Sequence, residues 1–243
     1  MSTHAATRSS IPRGPLGTGR DLRRRLLLHH APLALASAVI LVLLTSLSTF
    51  GLRPAVGSLT IATGDLALGL LAVTLLIGPA NLLLRRRNPV SSYLRRDVGT
   101  WTVIASVVHV VFAFGVDGSG AILRFFVRAG RPLLDSFGLG NWTGLAALVI
   151  AVLLLALSTD RALRELKAKA WKDVQRLNYI LFALVVFHAF SYGVLARLTS
   201  PRTFLLVVTA IAVVLGQAVG VWLWRRRTLR AGVTRSRRLT QAA

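Results

Sequence analysis

Two histidines, His109 and His188, lie inside apolar stretches that are long enough to cross a membrane. They are the only titratable side chains of the chain at that depth. A polar side chain in hydrocarbon is costly, so one that is retained there usually marks a functional site. Two imidazoles at matching depth in different spans favour a pair of axial ligands.

The composition is that of a membrane protein. The chain has 243 residues, is 54% hydrophobic and carries a formal net charge of +22, and its mean hydropathy is +0.63. A soluble domain would not combine this apolarity with this charge, whereas a membrane protein separates the two. Because the basic residues flank the apolar runs, we expect lipid and no nucleic acid as a partner. Cysteine is absent and the one methionine is Met1, so a redox metal would need histidine or oxygen ligands.

Six runs reach the roughly 20 residues that one crossing needs, and they predict an all-α, polytopic six-helix transmembrane bundle. We place the spans near 31–50, 61–84, 98–116, 141–158, 177–197 and 203–224. Residues 1–29 are expected to form a disordered basic tail, 30–224 the membrane domain and 225–243 a second basic tail. Asp65 and Asp97 fall at the ends of runs, where both could reach an interface.

The basic residues predict the orientation. The two tails and the 85–97 and 159–176 loops hold 24 of the 30 Lys and Arg, which places both termini in the cytoplasm of a multi-pass protein of the inner or plasma membrane. The third and fifth spans then run in the same direction. His109 lies 10 residues beyond Gly99 and His188 lies 11 residues beyond Leu177, so both imidazoles are at nearly equal height in the outer half.

The residues around the two histidines suit a bis-histidine haem b. Ala105 and Ala113 share the face of His109, and their small side chains leave room for a porphyrin. On the fifth span Tyr192 follows His188 by four residues and could bond a ring nitrogen or a propionate. The alternative is that each histidine only hydrogen-bonds to a neighbouring helix. His4, His29 and His30 are poorer candidates, because they lie in a tail or at the cytoplasmic edge of the membrane.

The outer segment 119–138 is predicted to be a short amphipathic helix that ends near Gly130-Arg131-Pro132. Arginine pairs well with carboxylates, so Arg128 and Arg131 are candidates to bind outward-pointing haem propionates. The alternative is a surface helix that lies among the lipid headgroups.

Two motifs resemble the ferric reductase-like transmembrane domain family, and within it the haem-binding membrane subunits of methionine sulfoxide reductase systems. The first is Leu94-Arg95-Arg96-Asp97-Val98-Gly99-Thr100-Trp101, with His109 ten residues after the glycine. The second is Leu155-Ala156-Leu157-Ser158-Thr159, then Trp171-Lys172, Arg176-Leu177, Tyr179 and His188. Together the motifs cover roughly 85–192, and the six-span layout extends the similarity over most of the chain.

This resemblance implies one-electron transport from the cytoplasmic side to an acceptor outside. A cytoplasmic flavin reductase or quinol would be the donor, since the tails and loops are too short for a nucleotide-binding domain, and a periplasmic oxidoreductase would be the acceptor. The sequence departs from the family at Gln175 and Arg96, where the family's further histidines would stand. The resemblance therefore supports one haem b in the outer half, with FMN or a quinone as a further candidate cofactor.

Two other functions are open at this stage. A small transporter could use the two histidines to relay protons, although the sequence shows no inverted repeat and few intramembrane carboxylates. A non-redox scaffold could keep the fold with structural histidines, and the glutamine at position 175 makes that alternative credible.

Overall fold

Six long helices make up most of the chain. The computed structural model describes residues 23, 26–49, 55–84, 93–116, 121–159, 162, 165–166, 170, 173–192 and 200–241. A π-helical turn, Leu26–His30, leads into helix α1. The helices are α1 (Ala31–Thr49), α2 (Ala55–Leu83), α3 (Tyr93–Gly115), α4 (Ser136–Ala156), α5 (Leu177–Ser191) and α6 (Pro201–Gln241).

The predicted six-span, all-α architecture is confirmed. Within the described ranges, six helices are long and apolar enough to cross a membrane. Their ends differ from the predicted ones by several residues, because hydropathy marks the apolar part of a helix and not its last turn. The largest difference is in α6, which continues as helix to Gln241 beyond the predicted end of the last span at 224. The predicted disordered tail lies mostly outside the described residues.

Several threonine hydroxyl groups inside the spans are satisfied by their own helices. Thr63, Thr74 and Thr102 donate to carbonyl oxygens four residues earlier at 2.7, 2.8 and 3.1 Å. Because hydrocarbon offers no water to bond a polar group, this local bond lets threonine and serine occupy a membrane helix. The apolar runs can therefore include hydroxyl side chains and still cross the bilayer.

Helix α2 is at the centre of the bundle. It packs most extensively against α3 and also contacts α1 and α6, whereas α4 packs mainly against α5. Its buried Leu71 and Leu75 share one apolar core with Ala151 of α4, Leu181 of α5 and Leu206 of α6. Each histidine-bearing helix thus packs against the helix that precedes it in the chain.

Small residues bring α6 close to α2. A Cβ atom added at Gly216 would lie 2.3 Å from Cδ2 of Leu76, and one at Gly220 would lie 3.1 Å from Cγ of Pro79. Between these glycines, Gln217 donates from Nε2 to the carbonyl oxygen of Leu75 at 2.7 Å. Glycines four residues apart and an interhelical hydrogen bond are the usual means by which membrane helices associate.

The connection between α3 and α4 differs from the prediction. In place of an amphipathic helix over 119–138, the described part forms a 3₁₀ turn, Ile122–Phe125, and a hairpin of β1 (Val127–Arg128) and β2 (Arg131–Pro132). Ala129 and Gly130 have φ of 48° and 75°, as a tight two-residue hairpin turn requires. The prediction of a helix was wrong, because the residues before the turn form only one 3₁₀ turn and a short strand.

The start of α4 leaves no room for a side chain at Gly138. Its N–H donates to Oδ1 of Asp135, the helix N-cap, at 2.7 Å. A Cβ atom at this position would lie 2.3 Å from the carbonyl oxygen of Leu133. We therefore expect Gly138→Ala to lower the free energy of unfolding by about 2–3 kcal/mol. Thermal unfolding in detergent measures the change. Gly69→Ala, at an exposed site on α2 with no atom within 4 Å, is the matched control and should leave stability unchanged or raise it.

Candidate functional site

The two intramembrane histidines face each other across the bundle. His109 on α3 and His188 on α5 have ring centroids 6.1 Å apart, with their ring planes at 90°. Both side chains are half-buried. The fold therefore brings together two residues that are far apart in the chain.

Each imidazole is held by a backbone carbonyl of the helix on which its own helix packs. Nδ1 of His109 lies 2.7 Å from the carbonyl oxygen of Thr60 on α2. Nδ1 of His188 lies 2.7 Å from the carbonyl oxygen of Gly140 on α4. A carbonyl oxygen only accepts hydrogen bonds, so each Nδ1 carries its proton and donates. In the neutral imidazole this leaves the lone pair on Nε2 available to bind a metal.

A glycine four residues after each carbonyl makes these bonds possible. In a helix the side chain of a residue covers the turn before it, so a side chain at position 64 would cover the carbonyl of Thr60. A Cβ atom at Gly64 would lie 3.0 Å from Nδ1 of His109, and one at Gly144 would lie 2.7 Å from Nδ1 of His188. The same arrangement of carbonyl, glycine and histidine therefore occurs on both sides of the site.

The donor set fits one metal between the rings. An imidazole nitrogen binds a transition metal at about 2 Å, so two rings that share one metal have centroids about 6 Å apart. Metal-binding histidines commonly donate their second N–H to a backbone carbonyl, which fixes the tautomer and the ring orientation. The described residues contain no group of three or more metal-ligating side chains. A metal at this site would thus need most of its ligands from a source such as a macrocycle.

Tyr192 lies beside His188, with its ring centroid 5.2 Å from that of the imidazole. Its hydroxyl is hydrogen-bonded to Oδ1 of Asn141, and Nδ2 of Asn141 donates to the carbonyl oxygen of Phe125 at 2.9 Å. The hydroxyl is therefore not bonded to His188, whose Nδ1 is bonded to Gly140 instead. Through Asn141, Tyr192 connects the histidine site to the 3₁₀ turn of the outer segment.

Arg128 and Arg131 are paired residues across the hairpin, and both side chains are exposed. The hairpin lies in the segment that Asn141 connects to the site. Their predicted contact with haem propionates stays a prediction.

The other half of the bundle lacks an equivalent histidine pair across α3 and α5 in the part that the structure describes. Gln175 accepts from Asn178 through Oε1 at 3.1 Å, while its Nε2 is buried without a hydrogen-bond partner. Arg96 lies beside a cavity at this end. These are the two positions where the resemblance would have required further histidines.

Sequence reasoning missed a second group of titratable residues. His29 and His30 had been interpreted as ordinary interfacial histidines, and Asp97 as a residue that reaches an interface. In the structure the side chain of Asp97 has no exposed surface, and both histidines lie against its carboxylate. No local pattern could link residues 68 positions apart. The one available signal was that a carboxylate directly preceded an apolar run.

The chain belongs to the ferric reductase family: the family described as ferric reductase like transmembrane component matches residues 63–186. That range includes His109 and ends two residues before His188.

A curated relative, the protein-methionine-sulfoxide reductase heme-binding subunit MsrQ of Ralstonia nicotianae, is 29% identical over 197 residues. The aligned region covers 79% of this chain and 83% of the relative. No solved structure matches the chain significantly.

Proposed function

We propose that the protein is a haem b-binding electron-transfer subunit of the membrane, similar to MsrQ. The observation that carries the proposal is the histidine pair, with centroids 6.1 Å apart and each Nδ1 held by a carbonyl at 2.7 Å. Membership of the ferric reductase family and the name of the relative, a heme-binding subunit, support the same conclusion.

His109 and His188 would hold the haem iron through Nε2, and the hydrogen bonds to the carbonyl oxygens of Thr60 and Gly140 would fix the tautomer and orientation of the imidazoles. When bound, haem supplies an iron that accepts and releases one electron. The protein holds both ligands on packed helices, so little rearrangement is needed between the two oxidation states. The carbonyl bonds also raise the basicity of the imidazoles, which strengthens their metal binding.

The resemblance to the family implies the direction of electron transfer, and the charge distribution predicts how the site is oriented in the membrane. With both termini in the cytoplasm, the histidine pair lies towards the outer leaflet. Electrons would enter from a cytoplasmic flavin reductase or from quinol, directly or through FMN or a quinone bound at the inner end. They would leave to an extracytoplasmic oxidoreductase, and the relative's name points to methionine sulfoxide reduction.

Arg128 and Arg131 would bind the haem propionates, with Tyr192 beside the ring of His188. A charge-assisted hydrogen bond contributes about 1.5–3 kcal/mol, so the double variant R128Q/R131Q should weaken haem affinity by about tenfold or more. Titration of the haem-free protein with haem measures this. Arg124→Gln, an exposed arginine on the 3₁₀ turn, is the control and should bind haem like the wild type. Equal affinities in all three proteins would assign the hairpin arginines to lipid headgroups instead.

The function is tested on protein purified in detergent from haem-replete cells. We expect a reduced-minus-oxidised spectrum of the b type at about one haem per chain. We also expect reduction of that haem by a flavin reductase with NADH or by quinol. A colourless protein would favour the transporter or the scaffold, and a haem that no donor reduces would favour the scaffold.

A further inference from the structure

A groove runs along the surface of the bundle between α5 and α6, at the end away from the His109–His188 pair. Its volume is about 600 Å³, and it is lined by one residue of α5 and five of α6, namely Tyr179, Gln217, Ala218, Val221, Trp222 and Arg225. The groove is left open since α6 packs mainly on α2 and hardly touches α5. Tyr179, Val221 and Trp222 are half exposed, so the groove is accessible from the lipid.

The groove begins at the depth of the lipid headgroups and extends into the hydrocarbon. Arg225 is the first of three arginines that follow the apolar run of α6, and basic residues at such a place lie at the membrane surface. Gln217 is eight residues earlier on the same helix, which corresponds to a depth of about 12 Å. Ala218 and Val221 lie between them. An elongated ligand with a polar head at Arg225 and an apolar body towards Gln217 matches this arrangement.

Both polar side chains at the deep end are bonded to the protein itself. The hydroxyl of Tyr179 donates to Oε1 of Gln217 at 3.2 Å, and Nε2 of Gln217 donates to the carbonyl oxygen of Leu75 at 2.7 Å. Such bonds let an amide stay within the hydrocarbon. The side chains beside this amide, Ala218 and Val221, are apolar. We therefore expect an acyl chain, and no polar ring, in this part of the groove.

The charge at the shallow end favours an anion. Among the described residues that line the groove, Arg225 is charged and no side chain is acidic. Arg226 stacks on the indole ring of Trp222, 3.8 Å from its centroid, and so places a second cation at the wall of the groove. Arg95 of α3 interacts electrostatically with Tyr179, which brings a third cation near it. A phosphate with no ammonium group of its own fits these surroundings best.

The neighbouring charged residues do not cancel this excess. Asp173 precedes Tyr179 by six residues on the chain, but it is ion-paired with Arg176 at 2.9 Å, so the two contribute no net charge. Arg227 is directed to the other side of α6, where it donates to the carbonyl oxygen of Leu82 on α2. Basic pockets between membrane helices bind anionic lipid headgroups, and tryptophan and tyrosine are enriched at the same depth.

We propose that this groove binds one anionic phospholipid of the leaflet at this end of the bundle. Its phosphate is bound by Arg225, whose planar guanidinium can donate to two phosphate oxygens at once. One acyl chain follows Ala218 and Val221 towards Gln217. The lipid fills the gap beside α5, the helix that carries His188, and thereby supports its packing. This site does not depend on the proposed function, because neither haem nor its ligands take part in it.

Lipid binding is measured by native mass spectrometry on the full-length protein, delipidated in detergent and then titrated with dioleoyl-phosphatidylglycerol or dioleoyl-phosphatidylcholine. The two lipids have the same acyl chains, so their comparison isolates the headgroup. We expect one phosphatidylglycerol to bind about tenfold more tightly than phosphatidylcholine, because several guanidinium groups act on its net charge. Arg225→Gln should lower the affinity for phosphatidylglycerol about tenfold through loss of the charge-assisted bonds. Equal affinities of the wild type for the two lipids would overturn the proposal.

Arg227→Gln is the matched control for charge, since it removes the same charge from the side of α6 that faces α2 and should bind phosphatidylglycerol like the wild type. Ala218→Trp tests the apolar part with every arginine in place. It should lower the affinity about fivefold or more, because the added ring occupies the space of the acyl chain. Val219→Trp, outside the lining, is its control and should have no effect. All four positions are exposed, so the variants are expected to fold.

Two results with these variants would overturn the proposal. Equal losses of affinity in Arg225→Gln and Arg227→Gln would assign the binding to general surface charge. Unchanged affinity in Ala218→Trp would show that no acyl chain occupies the groove.

Discussion

Replacing either His109 or His188 by alanine is expected to reduce the haem content of the purified protein to below about a tenth of the wild-type value. In the proposed site each imidazole would hold the haem iron, and one remaining ring would hold it less firmly. The substitution also removes the hydrogen bond from Nδ1 to the backbone carbonyl. In metal sites, loss of such an outer-shell partner typically lowers metal affinity about 10–100-fold. Haem per chain, from the reduced spectrum and the protein concentration, measures the effect.

The control distinguishes ligand loss from misfolding. His29→Ala removes an imidazole at the opposite end of the bundle and should retain haem. Added imidazole should restore part of the haem signal in His109→Ala and His188→Ala, because the free ring can occupy the space of the lost one. Full haem content in either alanine variant would show that the histidines only hydrogen-bond to neighbouring helices and do not hold the iron.

The helices and the meeting of the two histidines were predictable because both depend on simple periodic quantities. An apolar run of a given length spans the bilayer, and a fixed rise per residue converts position into height. In the predicted spans His109 lies 10 residues beyond Gly99 and His188 lies 11 residues beyond Leu177. Their ring centroids accordingly lie 6.1 Å apart.

The carbonyl partners of the histidines could not be predicted from the sequence. Every residue carries a backbone carbonyl, so Thr60 and Gly140 have no distinguishing side chain for this role. The glycines at 64 and 144 are the only local signal, and the chain contains 20 glycines. Only the packing of α2 on α3 and of α4 on α5 shows which of them faces a histidine.

The errors had different physical causes. A short amphipathic helix was predicted within 119–138, but the described residues form a 3₁₀ turn, Ile122–Phe125, and a hairpin that reverses at Ala129 and Gly130, which both adopt positive φ. Asp97 was placed at an interface because it precedes the apolar run of the third span. The helix in fact begins at Tyr93, and the π-helical turn that holds His29 covers the carboxylate. A local chain reversal decided the first case, and a contact between residues 68 positions apart decided the second.

Alanine substitution of the two glycines beside the histidines is expected to weaken haem binding to different extents. In Gly144→Ala the new Cβ would lie 2.7 and 2.8 Å from Nδ1 and Cε1 of His188, so the rigid imidazole must move away from the carbonyl of Gly140. We expect haem affinity to fall about 10–100-fold, as it does when an outer-shell partner of a metal ligand is lost. In Gly64→Ala the corresponding distances to His109 are 3.0 and 3.1 Å. A displacement of a few tenths of an ångström suffices there, so the loss should be severalfold at most.

The haem dissociation rate, measured by transfer of haem to apomyoglobin, orders the variants. Gly57→Ala and Gly69→Ala are matched controls on α2, where a Cβ would meet no atom within 4 Å, and both should release haem at the wild-type rate. The predicted order places Gly144→Ala fastest and Gly64→Ala between it and the controls. If all four variants released haem at one rate, the two carbonyl bonds would not contribute to ligand strength. The imidazoles would then be oriented by the haem itself, and the glycines would serve helix packing alone.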